Sequence, residues 1–148
     1  MIKVKRIDHV AIAVGERDEA SAQFGALFGL VAGAREHVAS QATDVAFLYP
    51  TGDANGAGCA LEVCAPRGNA ALEKFLDRRG PGLHHVCFEV EDLGGTLATL
   101  KAAGVRLIDE TPRAGARGHL VAFLHPAATG GVLFELCEPA PSHTGSAA

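Results

Sequence analysis

The chain has 148 residues, 48% hydrophobic and 20% charged, with a formal net charge of −4. That is enough for one globular domain with a real core. The absence of a basic stripe argues against nucleic-acid binding, and no apolar run reaches the about 18 residues of a membrane span. The start, MIKVKRIDHV, lacks a secretory-leader pattern. Cys59, Cys64, Cys87 and Cys137 have no CxxC spacing, which predicts reduced, buried thiols and a cytoplasmic location.

In chain order, IDHVAIAV from Ile7 reads as a strand. An acidic cap candidate follows, then a helix whose apolar face carries Phe24, Leu27 and Phe28, with Gly29 as its stop. A less regular strand precedes VAFL from Val45. GDANGAG supplies hairpin chemistry before the Glu-bearing strand LEVC from Leu61. NAALEKFLDRRG, about 69–80, is a linking helix with Leu72, Phe75 and Leu76 on one face. GLHHVCFEV is the next strand. Asp92 caps a helix carrying Leu93, Leu97 and Leu100, weakened by Gly94 and Gly95, with Gly104 after it. A less regular strand, VAFL from Val121 and FELC from Phe134 complete the order. The tail 139–148 reads as flexible.

The chain repeats itself. IDHVAIAV at Ile7 recurs as LHHVCFEV at Leu83, and VAFLYP at Val45 recurs as VAFLHP at Val121 with the same offset. LEVCAP at Leu61 recurs as FELCEP at Phe134, slightly closer, because the intervening turn is shorter in the second copy. The expected fold is α+β: two tandem βαβββ modules, about 5–66 and 82–138, joined by the linking helix into one domain, 1–138. The modules pack about a pseudo-two-fold axis as one curved, cupped mixed sheet with helices outside.

The repeat pairs His9 with His85 and Glu62 with Glu135, while Asp8 matches His84 and so does not repeat chemically. Strand alternation places His85, Cys87 and Glu89 on one face and turns His84 to the other. Both glutamates lie in apolar stretches, where an unpaired carboxylate is costly. Two imidazoles and two carboxylates meeting near the axis suit one divalent ion among Co, Mn, Ni, Zn and Fe.

These residues resemble the vicinal oxygen chelate superfamily of glyoxalases, extradiol dioxygenases and bleomycin-resistance proteins. KFLDRRGPGLHHVCFEVEDL, LKAAGVRLIDETPRAGARG and VAFLHPAATGGVLFELCE resemble its methylmalonyl-CoA epimerase branch over nearly the whole chain. The resemblance implies a homodimer, an acyl-CoA substrate and one divalent metal held by His9, Glu62, His85 and Glu135. It also implies epimerisation at C2 of methylmalonyl-CoA through an enolate, with Glu135 as one acid/base. Some relatives carry the second acid/base where this chain has Val45, leaving Asp44, Glu36 or a water as substitutes. Relatives often have Lys where Ala127 stands, so Arg113 and Arg117, or Lys74 and Arg78, are the candidate phosphate contacts. His125, whose repeat mate is Tyr49, reads as a packed or turn-capping residue, with His119 on the same face. A glyoxalase I type lyase could use the same quartet. A bleomycin-resistance type binder would not need it, and a fourth ligand argues against an Fe(II) dioxygenase.

Overall fold

The computed structural model describes residues 1–53 and 56–141. The first half comprises β1 (Arg6–Ala13), α1 (Arg17–Phe28), β2 (Val31–Val38), β3 (Thr43–Tyr49) and β4 (Ala60–Pro66). Helix α2 (Ala70–Arg79) leads into β5 (Gly82–Glu89), α3 (Leu93–Ala102), β6 (Arg113–Ala114), β7 (Leu120–Leu124) and β8 (Phe134–Glu138). The turn read in GDANGAG includes residues 54 and 55, and the tail continues past 141; these positions lie outside the described residues. Among the described residues no helix is long and apolar enough to cross a membrane.

All eight strands form one mixed sheet in the order β2-β3-β4-β1-β5-β8-β7-β6. β4 pairs parallel with β1, β8 pairs parallel with β5, and β1 and β5 pair antiparallel at the centre. Replacing each strand by its repeat mate reverses this order, so a pseudo-two-fold axis runs between β1 and β5. At the outer edges the Ser40 hydroxyl donates to the Ala114 carbonyl at 2.5 Å, and Arg113 Nη1 donates to the Ser40 carbonyl at 2.9 Å. The sheet therefore curls until its two edges touch through side chains.

Alternation sorts the core into layers. Val45, Phe47, Cys64 and Leu72 pack inside the curve. Leu48, Val63 and Ala20 pack outside it with α1, and Leu93, Leu97 and Leu136 pack with α3. Burial falls along α1 from buried Ala20 through half-buried Phe24 to Leu27 and Phe28, 66% and 68% exposed. The last turn thus lifts off the sheet and does not bury the apolar face that the sequence suggests. Gly29 ends the helix in the left-handed region, its N–H donating to the Gly25 carbonyl.

The caps differ between the halves. Glu16 precedes α1 without a side-chain cap, so the acidic cap expected there is not made. Asp92 Oδ1 accepts from the Gly95 N–H at 2.9 Å. A Cβ on Gly95 would collide with that carboxylate, so the glycine that weakens the helix also admits its cap. Asn69 Oδ1 accepts from the Leu72 N–H at 3.0 Å while its Nδ2 donates to the Gln41 carbonyl at 2.9 Å, which ties α2 to the loop before β3. The four cysteines are free; Cys64, Cys87 and Cys137 are buried as expected, and Cys59 is exposed, contrary to expectation.

Candidate functional site

The centre of the sheet departs from regular pairing at two related places. Ile7 pairs with Phe88 but His9 with Cys87, and Ala11 pairs with His85 but Ile12 with Leu83. The extra residues are Asp8 and His84, which are repeat mates. A bulge releases its residues from strict alternation. Asp8 and His9 both turn into the cup, at 0% and 2% exposure. His84 likewise joins His85 on the wall of the central cavity. This corrects the expectation that alternation turns His84 away. The signal for Asp8 and His84 was present in the sequence as the one repeat position that changes chemistry beside a repeated histidine.

β1, β4, β5 and β8 each contribute one member of a buried quartet. His9 Nε2 lies 2.7 Å from Glu62 Oε2, and His85 Nε2 lies 2.9 Å from Glu135 Oε2. The cross distances are 3.8 Å for His9 to Glu135 and 3.7 Å for His85 to Glu62, and the two Nε2 atoms are 3.3 Å apart. One ligand atom from each residue lies within 4.8 Å of the other three. The four predicted residues are therefore brought together about the pseudo-two-fold axis.

The surroundings fit a cation. His9 Nδ1 donates to Asp8 Oδ2 at 2.6 Å, and His85 Nδ1 lies 2.9 Å from His84 Nδ1. With Nδ1 engaged, each Nε2 can turn a lone pair toward the other and toward two carboxylates. Such a concentration of buried lone pairs is costly unless positive charge sits among them. Two imidazoles and two carboxylates could hold a divalent first-row metal.

The ionisation pattern agrees. Burial disfavours the charged form of His9, but Glu62 and Asp8 overcome it and raise the imidazole well above its usual range. Burial likewise opposes the Glu62 carboxylate, yet His9 holds it below the ordinary value. Asp8, although buried, is held well below the usual carboxylate range by His9 and Arg117. His84 is pushed down to about 4 by burial and by His85 beside it.

Arg113 and Arg117 have different placements. Arg117 sits in the left-handed region at φ 57° and directs its guanidinium inward, where it pairs with Asp8. It lies 4.0 Å from the Phe47 ring centroid, and its backbone N–H donates to Glu36 Oε2 at 3.2 Å. Arg117 thus supports the site from beneath. Arg113 instead lines a cavity of about 430 Å³ that opens onto the quartet. Glu62, His85, His84, Leu72 and Phe123 form other parts of its wall.

The remaining candidates fall elsewhere. Val45 is buried in the cup wall, and Asp44 faces outward, paired with His37 at 2.8 Å and Arg67 at 2.9 Å. Lys74 and Arg78 are exposed on α2. His125 Nδ1 accepts from the Ala127 N–H at 3.1 Å, a turn cap, and His119 sits beside Asp8 and Cys137.

A sequence profile described as the Glyoxalase/Bleomycin resistance protein/Dioxygenase superfamily matches residues 8–123. The ethylmalonyl-CoA/methylmalonyl-CoA epimerase of Cereibacter sphaeroides is 34% identical, covering 90% of this chain and 97% of its own. The mitochondrial methylmalonyl-CoA epimerase of Dictyostelium discoideum is 34% identical, covering 93% of this chain and 80% of its own. The crystal structure of methylmalonyl-CoA epimerase from Mycobacterium tuberculosis superposes with a TM-score of 0.87 at 36% identity, over 95% of this chain and 92% of that one. The matched profile, the doubled βαβββ order and the symmetric His/Glu quartet lead to one assignment: this chain belongs to the glyoxalase/bleomycin resistance protein/dioxygenase superfamily.

Proposed function

We propose that this protein is a metal-dependent methylmalonyl-CoA epimerase. The observation that carries the reading is the convergence of His9, Glu62, His85 and Glu135, with Glu62 and His85 on the wall of a cavity that Arg113 also lines. Relatives bearing that activity align over most of the chain, which supports it.

The C2 proton lies between a thioester and a carboxylate. A divalent ion held by the quartet would draw charge from those oxygens and so acidify that proton. Glu135 removes or returns it on one face of C2. The opposite face needs a second group, and Val45 offers none. Asp8 and Glu89 are held by arginines, Asp44 faces outward, and Glu36 accepts from the Arg117 backbone. Glu62 is the carboxylate related to Glu135 by the pseudo-two-fold axis, and the reading gives it the opposite transfer. Both are oriented by histidines and excluded from bulk water, which favours proton transfer to carbon. Arg113 contributes positive charge along the cavity toward the CoA end.

A second copy of the chain is the implied partner, with exposed Ile7 and Leu83 as apolar surface on the convex side. The free cysteines suit a reducing, cytoplasmic setting.

The test is deuterium exchange at C2 of methylmalonyl-CoA in heavy water. Wild type takes up deuterium with added Co or Mn, and a chelator abolishes uptake. Exchange that persists in metal-stripped protein would sink the metal-dependent mechanism. Turnover of the methylglyoxal–glutathione adduct in its place would make the protein a lyase using the same quartet.

A further inference from the structure

We propose that His84 is a substrate-facing hydrogen-bond donor that also positions the ligand His85; this rests on the epimerase reading above. The bulge in β5 sets the two rings side by side with their Nδ1 atoms 2.9 Å apart. A hydrogen bond between two imidazole nitrogens uses one proton, so one ring donates and the other accepts. His85 cannot choose freely. Its Nε2 faces Glu135 and His9 at the point where a cation would sit. That atom must keep its lone pair, so the His85 proton is on Nδ1. His84 Nδ1 therefore accepts, and the His84 proton is carried on Nε2.

This outer nitrogen makes no hydrogen bond to any described residue. The ring packs edge-on against Phe75, at 4.9 Å between centroids, and lines the cavity with Leu72, Phe123 and Leu133. An N–H without a protein partner among the described residues, flanked by Leu72, Phe75 and Leu133 and next to His85, suits an oxygen acceptor on the substrate. The carboxylate of a 2-carboxyacyl thioester supplies one, and its charge strengthens the bond.

The other half shows why this donor is unique. Asp8, the repeat mate of His84, performs the same supporting task by accepting from His9 Nδ1. Asp8 is fully buried, however, and its oxygens are taken by Arg6, His9 and Arg117. It has no atom left to reach a substrate. The quartet is nearly symmetric and the substrate is not. The difference between Asp8 and His84 selects one orientation, with the substrate carboxylate on the second-module side beside α2.

Two substitutions separate the nitrogens. The side-chain amide of Asn lies near the position of Nδ1, and that of Gln near Nε2. His84→Asn keeps an acceptor for His85 but loses the outer donor. It should raise KM for methylmalonyl-CoA about tenfold or more while Co(II) affinity, measured by calorimetry, stays near wild type. His84→Gln should do the reverse, weakening Co(II) about 10- to 100-fold with little change in KM at saturating metal. Long-range proton–nitrogen NMR on the Zn-loaded protein should find His84 protonated at Nε2. Protonation at Nδ1, or wild-type KM and metal affinity in both variants, overturns the proposal. If wild type does not act on methylmalonyl-CoA, the epimerase reading fails. The tautomer and the metal loss in His84→Gln still decide the role toward His85.

Discussion

Asp8 shows how a residue outside the quartet can govern it. It is fully buried, accepts from His9, and is compensated by Arg6 and Arg117. Replacing it by Asn keeps the shape but removes the charge that orients His9. Metal affinity should fall about 10- to 100-fold, checked by competition titration against a chromogenic chelator. Because the Asp8 pKa is lowered, its stabilising contribution is present above its unfolded value, about 4, and is lost as pH falls toward the folded value. Acid unfolding of Asp8→Asn should accordingly be shallower than that of wild type. On the proposed mechanism the two glutamates divide the chemistry. Glu62→Gln and Glu135→Gln should each lower epimerisation about 100-fold or more, while each still exchanges the C2 proton of one epimer only. Exchange of both epimers by either variant would refute the division, as read by mass spectrometry of separated epimers. The quartet was legible because duplication marks each member twice. The support beneath it was not. His84 violates alternation through cross-strand register, and Arg117 is drawn inward by a carboxylate far away in the sequence.

At the scale of elements, the sequence announces what is local and hides what depends on partners. The Asp92 cap, the Gly29 stop and the apolar face of α2 follow from short-range pattern, and all are present. The exposure of Leu27 and Phe28 depends on where α1 leaves the sheet, which no pattern within the helix encodes. Helix α2 is the element that couples stability to the site. Its residues Ala71 and Leu72 line the cavity, and Asn69 both caps it and binds the loop before β3. Asn69→Ala should destabilise the protein by about 1–2 kcal/mol, measured by urea unfolding. Cavity-dependent KM should rise with it, since the cap holds Leu72 in place. An unchanged urea midpoint would mean that tertiary packing alone fixes the start of the helix.

For the whole molecule, the quartet draws two residues from each half, His9 and Glu62 from the first and His85 and Glu135 from the second. A bound ion would then be a cross-link between modules. At free metal about 100 times Kd the expected stabilisation is about 2.7 kcal/mol, seen as a fall in Tm when chelator is added. The pH dependence has a definite sign. The raised pKa of His9 stabilises the metal-free fold at pH below its unfolded value and is lost as pH rises through the folded value. A metal must displace that proton, so its affinity increases with pH. The Tm gap between loaded and chelated protein should therefore widen from about pH 6 to about pH 8.5. A gap that narrows would show that His9 is not a ligand.

The contact among Ser40, Arg113 and Ala114, described above as the place where the curled sheet meets itself, also bears on solubility. Any open sheet leaves two rows of peptide groups able to recruit a foreign strand. Here one edge, β6, is only two residues long, and the other, β2, carries Arg35, Glu36 and His37. Joining these edges hides part of each from neighbours. The same curvature that makes a vessel for substrate thus protects the chain against edge-to-edge aggregation, without the complete closure of a barrel.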